Sequence, residues 1–230
     1  MRGELLRLSE TPLREERVWE SDGVEVLRAV VTLPQCEGKG RRVRRFNRYY
    51  RQYARAYLRY CETELLPRAA LSLRTALSRS APWQCARAEL AATVTRLDGA
   101  VLSLYTEGCE ERLAPRLILR RAEVWDRREG LLLPPAAFFP PKTPVRKLLT
   151  VRAREMASAQ EAAGTAAYYP GFRVLVRRAF NSRNFYLSGD GLHWFYPMYT
   201  VAPAAEGIVE FTLPYGEDGL AVPADVDETA

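Results

Sequence analysis

A chain of 230 residues and 26.1 kDa with 47% hydrophobic residues is long enough to bury a core in one large or two small domains. Its formal charge is +6, and because Glu217, Asp218, Asp225, Asp227 and Glu228 crowd the last fourteen residues, the remainder carries +11. A basic body of that size suits nucleic acid, acidic protein surfaces or anionic lipid headgroups, and says nothing about fold. No apolar run follows the first basic residues, as a secretory leader requires, and no stretch is apolar for the length of a membrane span. The expectation is a cytoplasmic chain with no membrane insertion. Cys36, Cys61, Cys85 and Cys109 lie 24 or 25 residues apart, which fits isolated thiols better than a zinc site or a disulfide scaffold.

In chain order, residues 1–19 alternate charges with single leucines and read as an extension with no element of their own. Val24 to Leu33, dense in β-branched residues, predicts a mostly buried strand that stops at Pro34. Val43, Phe46, Tyr50, Tyr53, Tyr57, Cys61 and Leu65 then recur every three or four residues, the spacing of one long helix, with Pro67 kinking or dividing it before a second segment to about Ala76. Ala86 to Thr95 and Ala100 to Thr106 predict a hairpin turned at Asp98-Gly99. Arg116 to Trp125 is a third strand candidate, and paired prolines bracket a short helical turn anchored by Phe138 and Phe139.

Thr143-Pro144 reads as a helix start, with Thr143 as N-cap, for a helix over 143–164 carrying Val145, Leu148, Leu149 and Met156 inward. From Gly171 to Phe180 the alternation of Phe172, Val174 and Val176 with Arg173 and Arg177 predicts a strand. Phe185 to Leu187 and Leu192 to Tyr196 flank the loop Ser188-Gly189-Asp190-Gly191, whose glycines are free to take positive φ, and Ile208 to Leu213 supplies the last strand. The expected fold is α+β: a mainly antiparallel sheet with one long N-terminal helix and a second helix near 143–164 packed on it. The domain spans 20–216, either whole or as lobes 20–142 and 143–216, followed by an acidic, disordered tail over 217–230 that adds no core.

The strongest electrostatic feature is the first helix, where Arg44, Arg48, Arg51 and Arg55 line up opposite the aromatic stripe. Guanidinium forks in that arrangement bind phosphates or carboxylates, while the simpler alternative is a solvated face whose stems cover apolar surface. Trp194, Tyr196 and Tyr199 are the aromatic candidates for ligand contact. His193, the only histidine, would have to serve any Ser-His-Asp or Cys-His arrangement, and its sequence neighbours form no nucleophile elbow. Neither a GxxxxGK[ST] loop nor a strand-linked GxGxxG occurs, so no catalytic residue, metal or cofactor is assigned and the chain reads as non-enzymatic.

Phe185-Tyr186-Leu187, Asp190-Gly191-Leu192, Phe195, Pro197, Tyr199, Ala202-Pro203, Gly207 and Phe211-Thr212-Leu213-Pro214-Tyr215 together resemble the RsiV-type C-terminal domain of lysozyme-sensing anti-sigma factors and of proteins beside some peptidoglycan deacetylases. The resemblance extends from about residue 20 to 215 and is most specific over 184–215. It implies a bacterial recognition domain whose ligand is a protein or a cell-wall glycan. Where many relatives carry a Gly-Gly-Ala-His-like run, this chain reads Gly108-Cys109-Glu110-Glu111, so that loop's role does not transfer. No residues here match a lysozyme-binding motif. The alternative reading is a cytoplasmic binder of nucleic acid or another polyanion through helix residues 41–59.

Overall fold

The computed structural model describes residues 5–113 and 117–223. It is an α+β fold with a six-stranded sheet in the order β1-β2-β3-β4-β5-β6 and a three-stranded sheet β7-β8-β9. The strands are β1 (Leu13–Ser21), β2 (Val24–Leu33), β3 (Ala86–Leu97), β4 (Val101–Glu111), β5 (Ile118–Asp126), β6 (Leu131–Leu132), β7 (Phe185–Leu187), β8 (Gly191–Tyr196) and β9 (Val209–Pro214). Helices α1 (Arg41–Tyr60), α2 (Leu66–Ser78), α3 (Val145–Ala162) and α4 (Phe172–Ala179) complete the regular elements. Two compact units are present, one of Leu6–Ala92 with Thr106–Ile118, the other of Thr93–Tyr105 with the chain from Leu119 onward.

In the first unit the extension expected over 1–19 contributes β1, antiparallel to β2. Asp22 and Gly23, at φ 51° and 76°, form the two-residue turn that asks both positions for left-handed backbone. β2 and β3 run parallel, with Leu27 opposite Ala86 and Thr32 opposite Ala91, so the mainly antiparallel sheet that was expected is a mixed one. Parallel neighbours need a long crossover, and α1 and α2 are that crossover. Phe46, Tyr50, Ala54, Tyr57 and Leu58 are the buried face of α1, and the Tyr57 hydroxyl donates to the Glu89 carbonyl of β3 at 3.0 Å. The Asn47 side chain clamps the segment before the helix, accepting from Cys36 N at 2.8 Å and donating to Cys36 O at 2.9 Å.

The helix continues past Pro67 as α2, the second segment expected to about Ala76. Cys61–Leu65 take one π-helical turn, in which Leu66 N–H reaches back to Cys61 O, and α2 continues with Pro67 near its start. A proline offers no N–H and crowds the carbonyl four residues before it; the wider turn makes room.

In the second unit the Asp98-Gly99 hairpin forms as expected, the Asp98 carboxylate accepting from Ala100 N–H and Val101 N–H, both at 3.1 Å. The short turn between prolines is a 3-10 helix, Pro135–Phe138, with Phe138 and Phe139 buried. Thr143 does not cap α3: its hydroxyl donates to Pro140 O at 2.8 Å, and the cap position falls to Pro144 without a side-chain hydrogen bond. The strand expected over 171–180 is helix α4. Phe172 and Val176, four residues apart, are buried while Val174 is 49% exposed, so the apolar contacts follow helical spacing.

β7 and β8 form the expected hairpin and β9 joins them in an antiparallel meander, with Phe185 opposite Trp194 and Trp194 opposite Phe211. Alternation sends Leu192, Trp194 and Tyr196 into the core with α3, α4 and the Phe138–Phe139 turn, and turns His193 and Phe195 to the other face. Gly189 and Gly191 do not take positive φ. What requires glycine at 191 is close approach, since a Cβ there would stand 2.1 Å from Leu213 O. Leu220 is 1% exposed in this core, and Ala221 N–H donates to Phe138 O at 2.9 Å, so the segment after 216 does add core, contrary to expectation. The remainder of the acidic tail lies outside the described residues. No helix among the described residues is long and apolar enough to cross a membrane.

Candidate functional site

Arg44, Arg48, Arg51 and Arg55 all lie exposed on α1 in the first unit. The aromatic candidates belong to the second unit and have different fates: Trp194 and Tyr196 are 2% and 1% exposed and pack around Phe211. As core side chains of β8 they offer no surface, which corrects their assignment as ligand contacts. Tyr199 is 42% exposed and holds φ 62°, an uncommon backbone state for an aromatic residue.

His193 sits in a polar hub that the strand register assembles. Its cross-strand neighbours are Tyr186 on β7 and Thr212 on β9, and the Tyr186 ring stacks on the imidazole at 4.7 Å with planes 2° apart. Nε2 lies 2.7 Å from Ser188 Oγ and 2.9 Å from Asp190 Oδ1; Nδ1 lies 3.0 Å from Thr212 Oγ1 and 3.3 Å from Glu210 Oε1. Glu210 also accepts from the Tyr186 hydroxyl at 2.8 Å and pairs with Arg120, whose guanidinium lies over the Tyr105 ring.

Burial alone would lower the His193 pKa, but hydrogen bonds and charge from Glu210 and Asp190 overcome it and raise it. Burial likewise opposes ionisation of Glu210, yet His193, Tyr186 and Arg120 hold that carboxyl below its ordinary value. Hydrogen bonds from Ser188 and His193 bring Asp190 down to about 2.

The connectivity Ser188–His193–Glu210 resembles a hydrolase triad in outline. A general base needs a lone pair on the nitrogen facing the serine. Here the two carboxylates favour imidazolium, and the Ser188 hydroxyl donates to Asp190. Sequence reasoning saw the histidine and the loop but could not supply Glu210, which only the β8–β9 register delivers. No group of three or more His, Cys, Asp or Glu among the described residues is set to hold a metal ion.

A second polar centre lies in the first unit. Glu110 on β4, 1% exposed, accepts from the Tyr60 hydroxyl at 2.5 Å and from Arg68 at 3.3 Å. It thereby ties the strand to both helical segments of the crossover. Burial, reinforced by the Glu110 charge, pushes the neighbouring Cys61 thiol up to about 12, which keeps that sulfur protonated and inert.

One concave surface of the second unit is a groove of about 750 Å³. One wall is the stripe Lys147, Thr150, Val151 and Arg154 of α3, at helical spacing; Pro134 to Ala136 and the end of α4 with Phe180 supply the others. Arg146 and Arg177 add to Lys147 and Arg154, so four cations and no acid line it. Arg154 also donates to Arg173 O at 2.7 Å and so fastens α4 to α3, and the Arg146 guanidinium lies 6.0 Å from the centre of the Phe180 ring. The helix that carries the α3 stripe was expected from the sequence, though only its inward residues were singled out. The groove was not, because a strand over 171–180 would have removed its far wall.

No curated protein matches the chain. The sequence profile of the family described as "Protein of unknown function (DUF3298)" matches residues 144–216, from the start of α3 past the end of β9. Among solved structures, a DUF3298 family member from Bacteroides fragilis NCTC 9343 is similar with a TM-score of 0.63 and 17% identity, covering 95% of this chain and 94% of that one. A DUF3298 family protein from Pseudomonas aeruginosa PAO1 is similar with a TM-score of 0.56 and 16% identity, covering 96% of each chain. Over 144–216 this chain is therefore similar in sequence to the DUF3298 family, and over nearly its whole length it shares a fold with two proteins of that family.

Proposed function

We propose that the chain is a non-enzymatic bacterial recognition domain of the RsiV type, which holds a protein or cell-wall glycan ligand without transforming it. The observation that carries this reading is the groove beside α3: a concave, largely apolar surface with convergent cations, the usual form of a binding site. The hub around His193 supports the same reading, because Glu210 and Asp190 favour the protonated imidazole, the form with no lone pair for the Ser188 proton.

Co-sedimentation with insoluble peptidoglycan, and capture on a lysozyme column, test it. Binding in either format that is lost when Arg146 and Arg177 are both changed to Glu is the expected result. Covalent labelling of Ser188 by a fluorophosphonate, or ester hydrolysis lost in Ser188→Ala, would overturn it.

A second reading stays in play because Arg44, Arg48, Arg51 and Arg55 are all exposed along α1. In that reading the chain is a cytoplasmic polyanion binder. Each phosphate neutralised releases condensed counterions, so affinity for duplex DNA would fall with salt at a log–log slope of about −3.6 for four contacts.

A further inference from the structure

Three features of the groove do not follow from packing. Thr150 is one of the lining residues and is 5% exposed, and its buried hydroxyl has no hydrogen-bond partner among the described residues. A buried hydroxyl left in that state is destabilising, and a helical threonine ordinarily relieves it by bonding the carbonyl one turn back. Arg146, Lys147 and Arg177 have no acidic partner among the described residues, and Arg154 meets only a carbonyl. Finally, α3 begins in the groove with no side-chain cap and no acid in its first turn, so the positive end of an eighteen-residue helix faces the same space.

Against these polar features stand Pro134, Pro135, Val145, Val151 and Phe180, which make most of the lining apolar. A free inorganic anion would leave that surface dry and unused, and an uncharged apolar ligand would leave four cations and the Thr150 hydroxyl desolvated without compensation.

We propose that this groove is a site for a small organic anion, one carboxylate or phosphate carried on an apolar body of about two fused rings. The anionic group is held by Arg146, Arg177 and the first turn of α3, and the Thr150 hydroxyl bonds the ligand where ring and acid group join. This deepens the recognition reading above and rests on it, since it names the chemical group that a larger ligand would insert.

Isothermal titration of the full chain with 1-naphthoate, 1-naphthyl phosphate, 1-naphthalenemethanol and inorganic phosphate tests it. Both naphthyl anions are expected to bind, the tighter of them identifying the acid group, with the alcohol and inorganic phosphate at least about tenfold weaker. Arg146→Ala with Arg177→Ala should weaken the anions by about tenfold or more. Thr150→Val, which keeps shape and removes the stranded hydroxyl, should weaken them by roughly three- to tenfold while leaving Tm equal or higher.

Equal binding of the alcohol or of inorganic phosphate, or unchanged affinity in the well-folded Thr150→Val chain, overturns the proposal. So does binding seen only after truncation behind Pro223, because the occupant would then be the chain's own Asp225, Asp227 and Glu228. If the naphthyl anions bind as expected but neither peptidoglycan nor lysozyme does, the site stands and the recognition reading fails; the reverse pattern removes the site alone.

Discussion

At the level of single residues, His193 shows how much one side chain depends on the strands beside it. Its raised pKa contributes stability that is complete below the ordinary value of 6.5 and is lost as pH rises through the folded value. The lowered pKa of Glu210 acts in the opposite sense, contributing above the ordinary 4.5 and fading as pH falls through the folded value. Asp190 adds little, because 71% of its side chain is in solvent. The hub therefore stabilises the meander most between those two ordinary values. Glu210→Gln should cost about 1–3 kcal/mol in that window and flatten the pH dependence on both sides. Urea titrations across the acid and neutral range check this, and an unchanged pH profile would show that the hub is not ionised as described.

Among the elements, α4 and the segment after β9 diverge most from the pattern in the sequence. Alternation of apolar and basic residues over 172–177 suits a strand, but the same residues satisfy an i, i+4 pair, and only the partner surface decides between them. Val176→Ala should cost about 2 kcal/mol, since Val176 is fully buried, while Val174→Ala should change stability by less than about 0.5 kcal/mol. Similar costs at the two positions, measured by denaturant unfolding, would argue against the helix.

The segment after Gly216 holds only Leu220, Val222 and Val226 as larger apolar residues among acids and small residues, a composition that reads as tail. Yet Leu220 enters the core and Asp218 pairs with Arg152. Ending the chain after Gly216 should therefore destabilise it by about 2–4 kcal/mol, seen as a drop of several degrees in Tm. A Tm within a degree of the full chain would show that Leu220 contributes nothing.

For the whole molecule the decisive quantity is charge. Cations gather both on α1 and along the groove, and charge alone does not say which of them meets a ligand. Because Arg48 and Arg55 are exposed, the double variant Arg48→Glu, Arg55→Glu should leave unfolding free energy within about 0.5 kcal/mol. It should also leave ligand binding by the groove intact. Salt-sensitive DNA or RNA binding that disappears in this variant would instead favour the polyanion reading.

The sequence by itself determined the elements whose signals are local. β2 follows from its run of β-branched residues, α1 from its aromatic stripe, and the Asp98-Gly99 turn from turn chemistry. The Asp22-Gly23 turn carried the same local signal and was equally legible, although the charged strand before it, half exposed along its length, masked it. Tertiary structure alone decided what depends on partners distant in the chain. The parallel pairing of β2 with β3 spans the whole α1–α2 crossover, and no local pattern separates a parallel from an antiparallel neighbour. Glu210 reaches His193 only because β9 pairs with β8 in one register, since a slip of one residue would turn it to the opposite face. The groove, likewise, exists only where α4 and the Pro134–Ala136 turn come beside α3.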